Sequence, residues 1–147
     1  MVLRAVFDDL VRFETVLWNA LDERLRKDFA VTTGGLNVLL LIESARSCRV
    51  YDIANALAIT VGGASQAVDR LERQGRIVRR PNPADRRSSL VELTPAGREL
   101  VATAGKALDE ELEKHLSGPL SASALKQFAA ALATLRTAAQ KPEGNPS

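Results

Sequence analysis

Residues 60–95 read TVGGASQAVDRLERQGRIVRRPNPADRRSSLVELTP. The threonine at the start is a good N-cap for a helix over residues 61–74, because its hydroxyl can accept a hydrogen bond from a free first-turn amide. Gly75 follows where the end of a helix favours a left-handed residue. Residues 76–80 and 89–93 have the character of short strands, and the segment between them is rich in turn residues. The segment therefore predicts one helix followed by a β-hairpin.

A shorter helix is predicted just before this segment. Residues 52–58 place their apolar side chains on one face, the pattern of an amphipathic helix. A short helix, a brief turn and a longer helix with a polar outer face together indicate a helix-turn-helix. Upstream, residues 35–44 are apolar on most sides, which predicts a central buried helix. Residues 47–50 would connect the two helices, with the character of one edge strand.

Both ends of the chain predict long helices. Residues 3–29 carry an apolar stripe longer than one small core can cover. Residues 95–116 follow a threonine and begin with proline, a strong helix start. Residues 122–139 repeat apolar side chains at alternating steps of three and four, which is typical of a helix-packing seam. We expect these helices to contact a second copy of the chain, and residues 141–147 (KPEGNPS) to form a flexible tail.

Positive charge is concentrated in one part of the chain. The 147 residues have a formal net charge of +2, yet residues 66–89 hold seven arginines against three acids, a balance of +4. The arginines are Arg70, Arg73, Arg76, Arg79, Arg80, Arg86 and Arg87. A local basic patch on a near-neutral protein indicates a polyanionic partner. A solvated arginine-rich surface explains the same charge, so composition alone leaves both interpretations open.

The residue content argues against an enzyme, a metal site or a bound cofactor. The chain has one histidine, His115, and one cysteine, Cys48, which are too few for a metal site with known ligand spacing. Its glycine pairs lack the spacing of a phosphate-binding loop. A single cysteine excludes an intrachain disulfide, and no apolar run approaches the ~18 residues of a membrane span. A soluble cytoplasmic protein without a membrane partner is therefore expected.

The longer helix and the hairpin contain the expected DNA contacts. A helix that enters the major groove needs small or polar groups near its N-terminus, and the candidates are Thr60, Gly62, Gly63, Ser65 and Gln66. Arg70 and Arg73 lie further along the helix and are expected on the phosphate backbone. Arg86 and Arg87 at the hairpin tip can enter the minor groove, where negative potential is focused. Asp85 is expected to hold the Arg87 side chain in place.

Residues 68–97, VDRLERQGRIVRRPNPADRRSSLVELTPAG, resemble the MarR family of bacterial winged helix-turn-helix transcriptional regulators. The resemblance is carried by the helix end DRLE, the strand RIVRR, the signature Asp85-Arg86-Arg87 and the LTPAG start of the next helix. It implies a mainly α fold in which a winged helix-turn-helix over residues 31–94 has a small β-hairpin wing. Residues 1–30 and 95–140 would form a helical dimerisation region.

The resemblance also implies roles for individual residues. The family's DNA-contacting positions fall here on Thr60, Gly62, Gly63, Ser65, Gln66 and Arg70. The wing arginine of the minor groove falls on Arg87, with Asp85 as its brace. Many members bind small aromatic effectors between the dimerisation and DNA-binding regions, and the candidate pocket residues are Trp18, Leu36 and Leu40. Many members also carry polar side chains where this chain has Gly62-Gly63, so fewer groups remain here to read bases.

Together these features predict a sequence-specific DNA-binding regulator. It would act as a homodimer on a pseudo-palindromic site in double-stranded DNA, with half-sites about 34 Å apart, as a repressor that a small effector releases. Two alternatives stay open. The winged helix could contact an acidic protein partner instead of DNA. Alternatively, Cys48 could make the regulator redox-responsive, since Arg46 and Arg49 would lower the pKa of an exposed thiol nearby.

Overall fold

The computed structural model describes residues 2–140, so the tail expected at 141–147 lies outside the described residues. The described chain is mainly α with one two-stranded antiparallel sheet, which confirms the expected fold class. Its helices are α1 (Leu3–Phe29), α2 (Thr33–Ser44), α3 (Val50–Leu57), α4 (Val61–Arg73), α5 (Pro95–Leu112) and α6 (Ala122–Gln140). Its strands are β1 (Ile77–Pro81) and β2 (Ser89–Leu93), and a π-helical turn covers Glu113–Ser117. Contacts divide the chain into two compact units, the first ending at Asp109 and the second beginning at Glu110.

The core of the first unit is built around α2. Leu39 of α2, Ile53 of α3, Val68 of α4 and Ile77 of β1 are almost completely buried in one cluster. These residues come from the apolar faces that the helical and strand periodicities predict, because burial of apolar surface is the main favourable term in folding. The helix-turn-helix formed by α3 and α4 thus packs against α2, and the base of the hairpin contributes residues to the same core.

Side-chain caps define where α2 and α4 begin. The hydroxyl of Thr60 accepts a hydrogen bond from the Gly63 amide at 3.0 Å, which confirms the expected cap of α4. Thr32 caps α2 in the same way, so this helix begins at Thr33, two residues before the predicted start. Asp22 of α1 adds a second acceptor by taking a hydrogen bond from the Thr33 amide at 2.6 Å. Free amides at a helix N-terminus favour such oxygen acceptors.

A carboxylate of α1 therefore anchors the N-terminus of α2. Burial alone would raise the pKa of Asp22, but hydrogen bonds from Thr33 and the neighbouring Arg26 outweigh burial and lower it. The charged form of Asp22 is thus the one that the folded chain stabilises.

The hairpin has a regular register in which inner and outer residues alternate. Ile77 faces Leu93 and Arg79 faces Val91 across the two strands. The predicted first strand is shifted by one residue, since it begins at Ile77. The edge strand expected at residues 47–50 is not formed. Instead, the Cys48 carbonyl accepts a single hydrogen bond from the Val91 amide at 2.7 Å, and α3 already begins at Val50.

The start of α5 is packed closely against the end of α4. The Thr94 hydroxyl accepts a hydrogen bond from the Gly97 amide at 3.1 Å and donates one to the Gly75 carbonyl at 2.6 Å. A Cβ atom at Gly97 would lie 2.0 Å from the Arg76 carbonyl oxygen, so this site requires glycine. Gly75 has φ +72°, the left-handed conformation expected after α4.

The second unit contains the end of α5, the π-helical turn and α6. The helix predicted to reach Leu116 changes character after Leu112, because the Gly118 amide bonds the Glu113 carbonyl five residues earlier and widens the turn. Ser121 caps α6 by accepting a hydrogen bond from the Ala124 amide at 3.1 Å. α6 extends to Gln140, one residue past the predicted end.

Long terminal helices leave apolar side chains uncovered in the single chain. In α1, Leu21 and Leu25 are buried, but the N-terminal part of the stripe is not. The exposed large apolar side chains of this part of α1 are Leu3, Val6, Phe7, Leu10, Val11, Phe13 and Val16, and the N-cap residue Val2 is exposed as well. In α6, Leu132 and Leu135 are exposed as well. A monomer rarely exposes so many large apolar side chains along one helix, and such surfaces indicate protein–protein contact.

Candidate nucleic-acid interface

The N-terminal end of α4 carries almost no side chain. A Cβ atom added at Gly62 would meet no atom within 4 Å, so this position faces open space. At Gly63 a Cβ atom would lie 3.1 Å from the Thr60 hydroxyl oxygen, close to the cap. Val61 is 53% exposed beside them, an apolar surface residue that the sequence patterns did not single out. The helix end therefore presents backbone amides and one small apolar group.

Further along α4, the polar and apolar faces separate as predicted. Ala64, Val68 and Leu71 are buried, whereas Gln66 is exposed and Ser65 is half-buried. The candidate residues Arg70 and Arg73 are exposed too. Within residues 2–140, neither arginine has an acidic or hydrogen-bonding side-chain partner.

The loop of residues 82–88 joins the two strands and holds the wing arginines; β1, β2 and this loop are called the wing below. Arg86 and Arg87 are exposed to solvent on this loop. No side chain within residues 2–140 pairs with either of them. Asp85 accepts a hydrogen bond from the backbone amide of Arg87 at 2.9 Å. The expectation that Asp85 holds the Arg87 side chain is therefore wrong. An aspartate two residues before an amide closes an Asx-type turn, so Asp85 shapes the backbone and leaves the guanidinium free to reach outwards.

Asn82 and Ser88 organise this loop and were missed from the sequence. The Asn82 amide nitrogen donates to the Ser88 hydroxyl at 3.0 Å, and the Asn82 side-chain oxygen accepts from the Ala84 amide at 3.0 Å. An asparagine before a proline is a known turn signal, so Asn82 could have been identified. Ser88 could not, because its role depends on the two ends of the loop meeting.

Three arginines of the basic segment are committed to contacts within the protein. Arg79 forms ion pairs with Asp69 at 2.6 Å and Glu72 at 2.7 Å, and these hydrogen bonds raise its pKa, that to Asp69 most strongly. On the outer face of the hairpin, Arg80 pairs with Glu92 at 3.3 Å. The uncompensated positive charge is thus carried by the four exposed arginines of α4 and the loop, which are Arg70, Arg73, Arg86 and Arg87.

Arg76 is the third committed arginine and lies behind the interface. Its Nη2 atom donates to the carbonyls of Ala30 at 3.0 Å and Phe29 at 3.4 Å, at the end of α1. Burial lowers the pKa of Arg76, and the structure shows no carboxylate near enough to compensate within residues 2–140. Its Nη1 atom is buried without a hydrogen-bond partner among the described residues. Nη1 therefore lacks the acceptor that buried polar atoms usually have.

A cavity of about 340 Å³ adjoins Arg76 in the first unit. Trp18, Asn37 and Gln74 contribute to its lining, together with the arginines Arg70 and Arg76. Of the three expected pocket residues, Trp18 lines this cavity, at 39% exposure. The other two do not line it. Leu36 is completely buried in a core cluster with Leu25, and Leu40 packs against the same cluster, because the inner face of α2 is covered by α1 and α5.

The environment of Cys48 disfavours the expected thiol chemistry. Cys48 is 3% exposed, and burial raises its pKa, with a further increase from the negative charge of Asp52. Because Cys48 is buried, the exposed thiol that Arg46 and Arg49 were expected to act on is not present. Arg49 is paired with Asp52 at 3.2 Å, which cancels its charge near the sulfur. A protonated, buried thiol is a poor nucleophile.

Two further features concern residues 2–140 as a whole. No group of three or more histidine, cysteine or acidic side chains in this range is arranged to hold a metal ion. In the same range, no helix combines the length and the apolar character that crossing a bilayer requires.

Comparison with known proteins finds matches over the region that contains the candidate interface. Residues 31–89 match the model of the MarR family. An uncharacterised HTH-type transcriptional regulator of Bacillus cereus is 34% identical over 103 residues, which cover 70% of this chain and 65% of that protein. The multiple antibiotic resistance protein MarR of Salmonella typhimurium is 33% identical over 91 residues, 59% of this chain and 63% of that protein. The chain thus spans less than two thirds of the length of these relatives.

Solved structures share the fold over most of the chain. Sco3205, a MarR family transcriptional regulator from Streptomyces coelicolor solved in complex with DNA, has a TM-score of 0.88 at 23% identity, covering 97% of this chain and 94% of that chain. BpsR of Bordetella bronchiseptica, whose DNA binding is regulated by 6-hydroxynicotinic acid, has a TM-score of 0.81 at 23% identity, covering 90% and 98%. At this identity the likeness establishes a common fold.

Proposed function

We propose that this chain, whose residues 31–89 match the model of the MarR family, is a sequence-specific DNA-binding transcriptional regulator. One observation carries the proposal. Arg70, Arg73, Arg86 and Arg87 are exposed and have no acidic partner within residues 2–140, whereas Arg79 and Arg80 nearby are neutralised. Arginines without acidic partners suit a surface that binds phosphates, because each contact they make releases counterions from the DNA.

In this proposal, α4 enters the major groove with its N-terminus leading. The small and polar positions that would contact bases or nearby phosphates are Thr60, Gly62, Gly63, Ser65 and Gln66. Glutamine can read adenine through two hydrogen bonds, and the open face at Gly62 lets the backbone come close. Arg70 and Arg73 would contact the phosphate backbone, while Arg86 and Arg87 reach the minor groove from a loop shaped by Asp85.

The regulator would act as a homodimer through the ends of the chain. The exposed apolar stripe of α1 and the exposed leucines of α6 support this assignment, since a partner would remove them from water. Residues 1–30 and 95–140 would form the dimerisation region, and residues 31–94 the DNA-binding region. Two α4 helices related by a two-fold axis would then meet half-sites about 34 Å apart on a pseudo-palindromic operator.

A small aromatic acid is the effector class that the cavity supports best. Trp18 offers a ring for stacking, and Arg76 offers a buried guanidinium nitrogen that has no acceptor among residues 2–140. Such an arginine suits a carboxylate, because a charge-assisted hydrogen bond would satisfy it. The effector 6-hydroxynicotinic acid of BpsR has this chemistry and is a suitable first probe. The chain would repress transcription and be released when the effector binds.

DNA binding is tested by mobility-shift titration against genomic fragments at several salt concentrations. We expect saturable, salt-sensitive binding to a small set of fragments. Arg87→Ala should weaken binding to the selected fragment by about 1–3 kcal/mol. Arg80→Ala is the matched control, because it removes the same charge from an arginine that pairs within the hairpin. Equal binding of all fragments, or tight binding only to an acidic polypeptide, would overturn the proposal in favour of the protein-contact alternative.

A further inference from the structure

The inner face of β1 contains an unexpected arginine. Ile77 and Arg79 are two residues apart and point to the same side of the strand, because side chains alternate. Ile77 is buried in the core, as the inner face requires. Arg79 lies at the next inner position, where its side chain is only 28% exposed. An apolar residue at this place would merely extend the core, so the guanidinium needs a separate explanation.

Two nitrogens of Arg79 each bind a different carboxylate of α4. Nη2 lies 2.6 Å from Asp69 Oδ1, and Nη1 lies 2.7 Å from Glu72 Oε1. Asp69 and Glu72 are three residues apart, so they occupy neighbouring positions on one helix face. A planar guanidinium that bridges two such groups sets both the distance and the direction of the strand relative to the helix. We call Arg79, Asp69 and Glu72 the Arg79 bridge.

The Arg79 bridge is the outermost attachment on the inner face of β1. Closer to the core, Ile77 and its partner Leu93 anchor the base of the wing. Pro81, the next residue on that face after Arg79, is exposed. Beyond it begins the loop that carries Arg87. Along the inner face of β1, Arg79 is therefore the last residue that holds the strand to α4 before that loop.

We propose that Arg79 is a positioning residue for DNA recognition, which holds the wing at the angle to α4 that lets both engage one operator. The inference rests on the proposed DNA-binding function. An ion pair between half-exposed side chains changes a folding or binding equilibrium constant by about fivefold or less. This is too little to decide whether the domain folds. An effect of this size is enough to restrict the motion of the hairpin, which would otherwise lose conformational entropy when it binds DNA.

The proposal makes a prediction whose sign is opposite to that of simple electrostatics. Asp69 and Glu72 are negative charges on the helix that would face DNA, so neutralising them should strengthen binding if charge alone matters. If the bridge positions the wing, Asp69→Asn combined with Glu72→Gln should instead weaken operator binding by about fivefold, and Arg79→Met should weaken it similarly. Glu92→Gln is the matched control, because it removes an acid whose ion pair lies within the hairpin. This control should bind as wild type or slightly more tightly.

The experiment measures operator affinity for these full-length variants, using the fragment that wild type selects. Hydroxyl-radical footprinting should show minor-groove protection lost while the protection by α4 remains, and melting curves should stay close to wild type. In an Arg87→Ala background, the Asp69→Asn and Glu72→Gln pair should no longer weaken binding, since the wing contact is already gone. Tighter binding by the paired variant in the wild-type background would overturn the role of Arg79. Failure of wild type itself to select DNA would instead remove the proposed function.

Discussion

Gly62→Ala separates the stability of α4 from its function. Gly62 is the second residue of the helix, and an added methyl group would meet no atom of the protein within 4 Å. Nothing in the single chain therefore opposes the substitution. If the N-terminus of α4 comes close to DNA, however, the same methyl group would stand between the helix backbone and the groove.

The two expected effects have opposite signs. Replacing an unstrained helical glycine by alanine stabilises a protein by about 0.4–1 kcal/mol, because the unfolded chain loses conformational freedom. Losing one good contact at a groove costs about 1–3 kcal/mol. Since 1.4 kcal/mol is a factor of ten, Gly62→Ala should melt at a higher temperature yet bind its operator about tenfold more weakly.

Gly105→Ala provides the control, because a methyl group there also meets no atom within 4 Å and Gly105 lies in α5, outside the helix-turn-helix. Both variants should gain similar stability in thermal denaturation at one protein concentration. Only Gly62→Ala should lose affinity in a fluorescence-anisotropy titration, and sedimentation should show an unchanged oligomeric state for both. Undiminished operator affinity of Gly62→Ala would refute the close approach of this helix end to DNA.

Three other predictions concern the parts that support the interface. Gly97→Ala should destabilise the fold by about 3 kcal/mol or more in chemical denaturation, since its Cβ would lie 2.0 Å from the Arg76 carbonyl oxygen; a cost under about 1 kcal/mol would contradict this packing. Asp22→Ala should lower the free energy of unfolding by about 1 kcal/mol at pH 7, because the Thr33 amide loses its acceptor. Since the folded pKa of Asp22 is lowered below 3.8, this difference should be present above that pH and vanish as the pH falls through the folded value; a difference that persists at lower pH would exclude the charge as its source. Adding 6-hydroxynicotinic acid should quench the fluorescence of Trp18, the single tryptophan, in wild type but much less in Arg76→Met, and equal quenching in both would argue against the guanidinium as the anchor.

Local sequence signals were sufficient for the elements of the interface. The Thr60 cap, the left-handed Gly75 and the strand β2 all lie where the sequence places them. Each depends on a few neighbouring residues, namely a hydroxyl near free amides, a residue without a side chain, and an alternating apolar pattern. The same signals located the exposed arginines of the loop, because turn residues bracket them.

The contacts between residues distant in the fold could not be predicted from the sequence. Asp85 was expected to contact the Arg87 side chain, yet it bonds the Arg87 amide, because the turn brings that amide closer. Leu36 was expected in a pocket and is buried in the core. Whether an apolar residue of α2 lines a cavity or fills the core depends on the packing of α1 and α5, which periodicity does not specify.

The amino-acid sequence by itself indicated the resemblance to the MarR family, the order of the elements and the basic character of the segment from α4 to the wing. These properties follow from local chemistry and from the count of charges. Only the tertiary structure decided which arginines remain available to a partner. Arg79 and Arg87 are the same residue type eight positions apart, but β1 turns one towards two carboxylates of α4 while the loop leaves the other exposed. A charge is available or neutralised according to what lies within about 4 Å of it, and that distance exists only in the folded chain.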